Sequence, residues 1–136
     1  MDAKRKVVKW KDTTSASSFT VLGISSHEND YRLSWSFNQH FGFSFVHSEN
    51  LVSGSGNEFT CFSHNGDDKN LALISNRCDN GFLLDKYKKI DFILKFDILL
   101  NETELAEWLR NLKKAPFVLA TMHIPVNKQI LKLLDA

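Results

Sequence analysis

The 136-residue chain is 43% hydrophobic, 24% charged and 12% aromatic, and it carries a formal net charge of +1. The chain has little net charge and many aromatic residues: eleven phenylalanines, three tryptophans and two tyrosines. This composition excludes a disordered chain, because burying these rings is strongly favourable. The longest uncharged apolar runs fall far short of the about 20 residues that cross a bilayer, and no basic start precedes an apolar stretch, so we expect a cytoplasmic protein without a membrane span.

Positive charge is concentrated at the start of the chain. Residues 1–11 contain five basic side chains and one acidic one, Asp2, so their net charge is +4 and that of the rest of the chain is −3. The basic residues are Lys4, Arg5, Lys6, Lys9 and Lys11. We interpret 1–18 as a basic, partly flexible N-terminal segment with a short edge strand at 7–10, whose lysines discourage association between sheets. Binding of nucleic acid through these basic side chains is the alternative. Residues 19–136 are expected to form one α+β domain.

The first elements of this domain are a strand and a helix. Phe19–Ser25 is dense in large apolar residues, which predicts a buried strand. Residues 31–38 alternate apolar and polar side chains, a strand pattern, but three other signals favour a helix over 28–41: a capping box, a stripe with helical spacing and a terminal glycine. These signals come from Ser25 with Glu28, from Leu33, Phe37 and Phe41, and from Gly42.

The remaining elements alternate strands with two further helices. A strand at 43–47 precedes a hairpin of 58–63 with 70–78, whose turn at Asn65–Asp68 places Cys61 opposite roughly residue 72. A strand at 90–96 carries its phenylalanines on one face. A helix then begins at the cap Asn101 and ends at Lys114, before a strand at 117–124 and a short last helix opened by Pro125.

This order predicts an α+β fold: a two-layer sandwich with a mixed, mostly antiparallel sheet. Strands joined by a helix prefer to run parallel, whereas hairpin strands run antiparallel. The two main helices are expected on one face of the sheet, accompanied by a short C-terminal helix, and the opposite face is expected to be open.

Three stretches of the sequence are similar to a known family. The strings VLGISSHENDYRLSWSFNQHFG, LALISNRC and LLDKYKKIDFILKF resemble the IPExxxVDY family of small uncharacterised bacterial proteins, from about Phe19 to Phe96. In the naming motif Asp91 is identical, whereas its Pro-Glu pair is replaced by Asp85 and Lys86. The resemblance implies a helix for 28–41 and no activity, and the loss of the motif's glutamate removes any role that depends on it.

Polar residues gather where the first strand ends and the first helix begins, namely His27, Glu28, Asp30 and Arg32. A helix N-terminus attracts ligands, so these residues form a candidate site; the alternative is that the acids complement the helix dipole. Tyr31 and Trp35 lie one turn apart, away from the core stripe, and would line a ligand pocket or a partner contact, although packing in the core is the simpler interpretation for each alone.

Asp91 and Lys95 share the strand face opposite the phenylalanines, either as a polar site on the open sheet face or as its solvent side. No nucleophile motif, phosphate loop or metal-ligand spacing is present, so no catalytic residue, cofactor or metal is expected. Cys61 and Cys78 are expected to be reduced thiols. The five histidines are scattered singly along the chain. The sequence therefore favours a non-enzymatic binding module, acting through protein contacts, self-association or a small ligand. A small enzyme at the strand–helix junction is the alternative, and nucleic-acid association through the basic segment is a weaker one.

Overall fold

The computed structural model describes residues 19–134. The predicted strand at 7–10 and the basic side chains of residues 4–11 lie outside these described residues, so both stay predictions. The described elements are, in chain order, β1 (Thr20–Ser25), α1 (Asp30–Phe41), β2 (Val46–His47), β3 (Leu51–Val52), β4 (Glu58–Phe59), β5 (Cys61–Asn65), β6 (Asn70–Ser75), β7 (Arg77–Cys78), β8 (Gly81–Phe82), β9 (Phe92–Phe96), α2 (Glu102–Lys113), β10 (Ala120–Ile124) and α3 (Lys128–Leu134).

The main sheet has six strands in the order β10-β1-β9-β6-β5-β2, and two small ribbons, β3-β4 and β7-β8, lie outside it. The α+β class is confirmed, with the two longer helices, α1 and α2, on one face of this sheet. All described strand pairs are antiparallel, so the expected parallel pairing is wrong. The physical reason is that β9 and β10, which α2 joins, do run parallel, but β1 lies between them and pairs with both.

The helix-facing side of the sheet holds the first hydrophobic core. Leu33 and Phe37 of α1 and Leu112 of α2 are fully buried there. They pack on alternate sheet residues, which in β9 are the predicted apolar ones, Phe92, Leu94 and Phe96. The period-2 pattern of β9 therefore predicts the correct face for the helices.

The opposite face of the sheet is also covered, so the expected open face is wrong. Ile93 of β9 is fully buried in a second core, with Ile130 and Leu134 of α3 and with Leu83 and Leu84 of the segment that precedes β9. The short last helix and this segment are too short for the sequence to indicate a layer of structure. Together they nevertheless shield the second face of the sheet from water.

The β5–β6 hairpin follows the prediction with a shifted register. Gly66 donates its backbone N–H to Lys69 at 3.0 Å, so the turn spans 66–69, one residue later than expected. Cys61 consequently faces Ile74 instead of residue 72. Cys61 and Cys78 are both free and half-buried.

Candidate functional site

The turn between β1 and α1 carries the predicted polar cluster, but a different residue caps the helix. The Asn29 side chain accepts a hydrogen bond from the Arg32 backbone N–H at 2.9 Å, so α1 begins at Asp30. The expected capping box of Ser25 and Glu28 is wrong, because the Ser25 hydroxyl donates to the Lys89 carbonyl on the neighbouring loop. The Asn29 side chain satisfies the Arg32 N–H of the first turn, and the Asp30 carboxylate accepts from the Tyr31 N–H.

A shallow cleft of about 500 Å³ opens beside this turn. His27, Glu28 and Asp30 line one wall, and a second wall comes from the end of β6, the start of β7 and the start of β9. That second wall contributes Ser75, Arg77, Asp91 and Phe92. The fold therefore brings four of the predicted site residues, His27, Glu28, Asp30 and Asp91, to one depression.

Asp91 is the most strongly held side chain of the cleft. One carboxylate oxygen accepts from the Ser26 backbone N–H at 2.8 Å, and the other lies 2.5 Å from the Arg77 guanidinium. The Asp91 backbone N–H also donates to the Ile24 carbonyl at 2.9 Å. The side chain is only 15% exposed, so it is neither the solvent side of a strand nor part of an open sheet face. Asp91 joins the end of β1 to β7, and each of its carboxylate oxygens is held by one of these partners.

Lys95 lies elsewhere in the molecule, so the expected pairing of Asp91 and Lys95 in one polar site is wrong. The Lys95 ammonium donates to the Leu134 carbonyl at 2.6 Å and lies 4.7 Å from the centre of the Phe19 ring. A cation at the C-terminal end of α3 complements the negative end of the helix dipole. Lys95 thus fixes α3 on the sheet and has no part in the cleft.

The other predicted residues of α1, Tyr31, Arg32 and Trp35, do not line the cleft. Arg32 lies 3.6 Å from the Glu28 carboxylate and 5.3 Å from the Phe117 ring centre. Tyr31 is 65% exposed and Trp35 is 57% exposed, so the interpretation that each packs in the core is wrong. They lie on the side of α1 opposite to the buried Leu33 and Phe37.

Two polar residues of the second wall, Ser75 and Arg77, are not among the site residues that the sequence predicts. Arg77 balances the charge of Asp91 and lies 5.6 Å from the Phe82 ring centre, while the Ser75 hydroxyl contacts that of Thr60 at 2.7 Å. Both lie in the string LALISNRC, which carries no signature of a catalytic or binding site, and they reach the cleft because β6 ends beside the start of β9. Only the strand pairing, which joins Ser75 to Phe92, could have indicated them.

Residues 19–134 contain no group of three His, Cys, Asp or Glu side chains arranged to hold a metal ion. Over the same residues, no helix has the length and apolar character that a membrane crossing requires. Neither the known protein families nor the curated proteins include a match to this chain. The resemblance to the IPExxxVDY family accordingly stays a prediction.

The role assigned to Asp91 has a measurable consequence. Replacing Asp91 with alanine leaves the Ser26 N–H and the Arg77 guanidinium without their acceptor, so we expect the free energy of unfolding to fall by roughly 1–3 kcal/mol. Urea unfolding followed by tryptophan fluorescence measures this loss. The matched change Asp85→Ala, at a carboxylate that is 77% exposed and that pairs with Lys88, should cost less than about 1 kcal/mol. Equal losses for the two variants would contradict the structural role of Asp91.

Proposed function

We propose that the chain is a non-enzymatic cytoplasmic interaction module that binds a protein partner through the outer face of α1. The observation that carries this proposal is the exposure of Tyr31 and Trp35 one helical turn apart. Two large aromatic rings on one helix face leave a substantial apolar area in contact with water. Burying each ring in a contact would contribute roughly 1.5–3 kcal/mol, and tyrosine and tryptophan are the residue types that most often dominate binding energy.

The way α1 is anchored supports an interaction role for its outer face. The helix is capped at its start by Asn29 and at its end by Gly42, whose φ of 74° is the left-handed conformation that glycine adopts readily. Its inner face is fixed by Leu33 and Phe37 in the core. A rigid helix presents its exposed rings with little loss of backbone entropy on binding.

The first alternative is a small enzyme at the cleft, favoured by the convergence of His27, Glu28 and Asp30 on one depression. The hydrogen bonds support it less well. The Asp91 carboxylate is held by Ser26 and Arg77, Asp30 accepts from the Tyr31 backbone N–H at 2.7 Å, and no described residue makes a hydrogen bond that would orient the His27 ring. A general base needs an orienting partner, so we favour the interaction module. Nucleic-acid association rests on residues 4–11, outside the described residues, and stays a weaker alternative.

Removing both rings tests the proposal. The double variant Tyr31→Ser, Trp35→Ser should retain its fold, because neither side chain is part of the core, and should lose the partner. Size-exclusion chromatography of an extract of the producing cells measures this: the wild-type protein is expected to elute in a species larger than the monomer, whether with a second copy or with another protein, and the variant as the monomer.

A control variant on α2 separates binding from general surface effects. Glu107→Ser with Arg110→Ser changes two exposed positions of the other long helix and should elute as the wild type does. A wild-type protein that elutes as a monomer in the extract, or a ring-less variant that keeps the larger species, would refute a binding role for α1.

A further inference from the structure

Over the part of the chain that the structure describes, strand β10 is an edge of the main sheet. Among residues 19–134 it pairs with β1 alone, over the five residues Ala120–Ile124. In an antiparallel strand alternate residues direct their backbone N–H and C=O groups away from the neighbour, so this edge offers unpaired donors and acceptors. Proteins usually blunt such an edge with proline, lysine or a bulge, and β10 contains no proline, lysine, arginine or acidic residue.

A basic loop reaches this edge because β1 contains a glycine. Gly23 pairs with Met122 of β10, and a Cβ at Gly23 would come within 2.9 Å of Ile90 Cδ1 and 3.1 Å of Ile124 Cδ1. The bare glycine lets Ile90 lie directly on β1, and the Ser25 hydroxyl fixes the Lys89 carbonyl at 2.9 Å. The loop 85–90 is thereby held across β1, beside the edge strand.

The loop and the edge strand border a shallow basic hollow. It has a volume of about 620 Å³ and is lined by residues 85–90 and by the exposed Met122. Three lysines and one aspartate give these lining residues a net charge of +2. Lys88 pairs with Asp85 at 3.1 Å, whereas Lys86 and Lys89 are exposed and have no carboxylate partner among the described residues. Because the lysines lie beside β10 and not in it, they leave its backbone groups accessible.

We propose that this edge binds an acidic peptide segment of another protein, which adds to β10 as a seventh strand and directs carboxylates to Lys86 and Lys89. Five paired residues correspond to about 17 Å of extended chain, and side chains of such a strand alternate between the two faces. Acids at every second position would therefore all face the hollow. Backbone hydrogen bonds supply affinity, and the lysines select the charge of the segment.

Charge disfavours the two other occupants of the edge. Pairing of β10 with β10 of a second copy about a two-fold axis normal to the sheet would place both basic hollows on the same face of a continuous sheet. Residues 1–11 of the chain itself carry +4 and would meet the hollow with charge of the same sign. An acidic segment is complementary to the lysines, and this surface is independent of Tyr31 and Trp35.

Labelled peptides test the proposal on the full-length protein. The probe is an acetylated, amidated peptide of about seven residues that alternates glutamate with valine, and its binding is followed by fluorescence anisotropy at low salt. We expect this peptide to bind, and two companions to bind at least about tenfold more weakly: one with lysine in place of glutamate, and one with the inward-facing amides N-methylated. Equal binding of all three peptides, or no binding of the acidic one, would overturn the proposal.

Matched charge reversals locate the site. Lys86→Glu with Lys89→Glu should weaken binding of the acidic peptide about tenfold, whereas Lys113→Glu with Lys114→Glu, two exposed positions at the end of α2, makes the same change in net charge and should leave affinity within about twofold. Amide exchange of residues 120–124 should slow when the peptide binds. Unchanged exchange there, or a dimer of the protein that forms through β10 in place of the peptide complex, would contradict the assignment.

Discussion

Replacing Asn76 with alanine is expected to lower the free energy of unfolding by roughly 3–5 kcal/mol. Asn76 has no exposed surface, and its side chain organises the segment that covers the second face of the sheet. The amide nitrogen donates to the Tyr87 carbonyl at 3.0 Å and to the Ile90 carbonyl at 2.9 Å, while the amide oxygen accepts from the Leu84 N–H at 2.7 Å. Alanine would leave the Ile90 carbonyl and the Leu84 N–H without their partner in a place that water reaches poorly, which is the costly form of a lost hydrogen bond, while the Tyr87 carbonyl would keep the Ile90 N–H as a donor.

Urea unfolding measured by circular dichroism gives this loss, and Asn80→Ala is the control. Asn80 is exposed, and its amide makes one long contact of 3.5 Å with Asn57 among the described residues, so its replacement should change stability by less than about 0.5 kcal/mol. If Asn76→Ala and Asn80→Ala were equally mild, the hydrogen bonds of Asn76 would not be what holds residues 83–90 in place.

Replacing Phe37 with alanine is the second change with a large expected effect, about 3–5 kcal/mol of unfolding free energy. The Phe37 ring is fully buried between α1 and the sheet, 5.6 Å from the Phe41 ring centre and 6.5 Å from that of Phe45. Alanine removes this apolar area and leaves a cavity that packed neighbours fill only in part.

Trp35→Ala, two residues away on the same helix, is the matched control. Trp35 has the larger side chain but is mostly exposed, and alanine favours helix formation, so the change should cost less than about 1 kcal/mol. Thermal unfolding of both variants measures the two losses of stability and compares them. A loss at Trp35 as large as the loss at Phe37 would show that the Trp35 ring is packed, and would remove the observation on which the proposed function depends.

Local signals predicted the helices well. Leu33, Phe37 and Phe41 are four residues apart, a spacing that fits both a helix and an alternating strand. Gly42 decides between the two, because a glycine at this position is typical of a helix C-terminus and not of a strand end. Asn101 and Glu104 form the capping box of α2 with both hydrogen bonds in place, as the sequence indicates. The start of α1 was misjudged because Ser25 and Asn29 are both good caps and only the course of the chain after β1 selects Asn29.

The covered second face could not be predicted from local patterns. Its key interactions join residues that are distant along the chain: Asn76 with 84–90, Ser26 with Asp91, and Lys95 with Leu134. In a sequence, a polar residue within a predicted strand indicates a side chain that faces solvent. Asp91 and Lys95 instead form hydrogen bonds with backbone groups elsewhere in the chain. The period of the strand identifies the face, but only the fold decides what lies on that face.

The candidate site was predicted in part for the same reason. His27, Glu28 and Asp30 adjoin one another in sequence, so their proximity requires no tertiary information, whereas Arg77 reaches the cleft only through the pairing of β6 with β9. The exposure of Tyr31 and Trp35 also depends on tertiary structure, since an aromatic pair on the second side of a helix is buried whenever another element lies against it.

Site-specific photo-crosslinking in the producing cells tests the central claim, that a protein partner binds the outer face of α1. A photoreactive amino acid replaces Trp35 in one variant and Glu107, an exposed position of α2, in the other. The proposal predicts a discrete crosslinked species from position 35 that is absent from position 107 and absent when Tyr31 is also replaced by serine. Crosslinking at background level from position 35, or equal crosslinking from both positions, would contradict it.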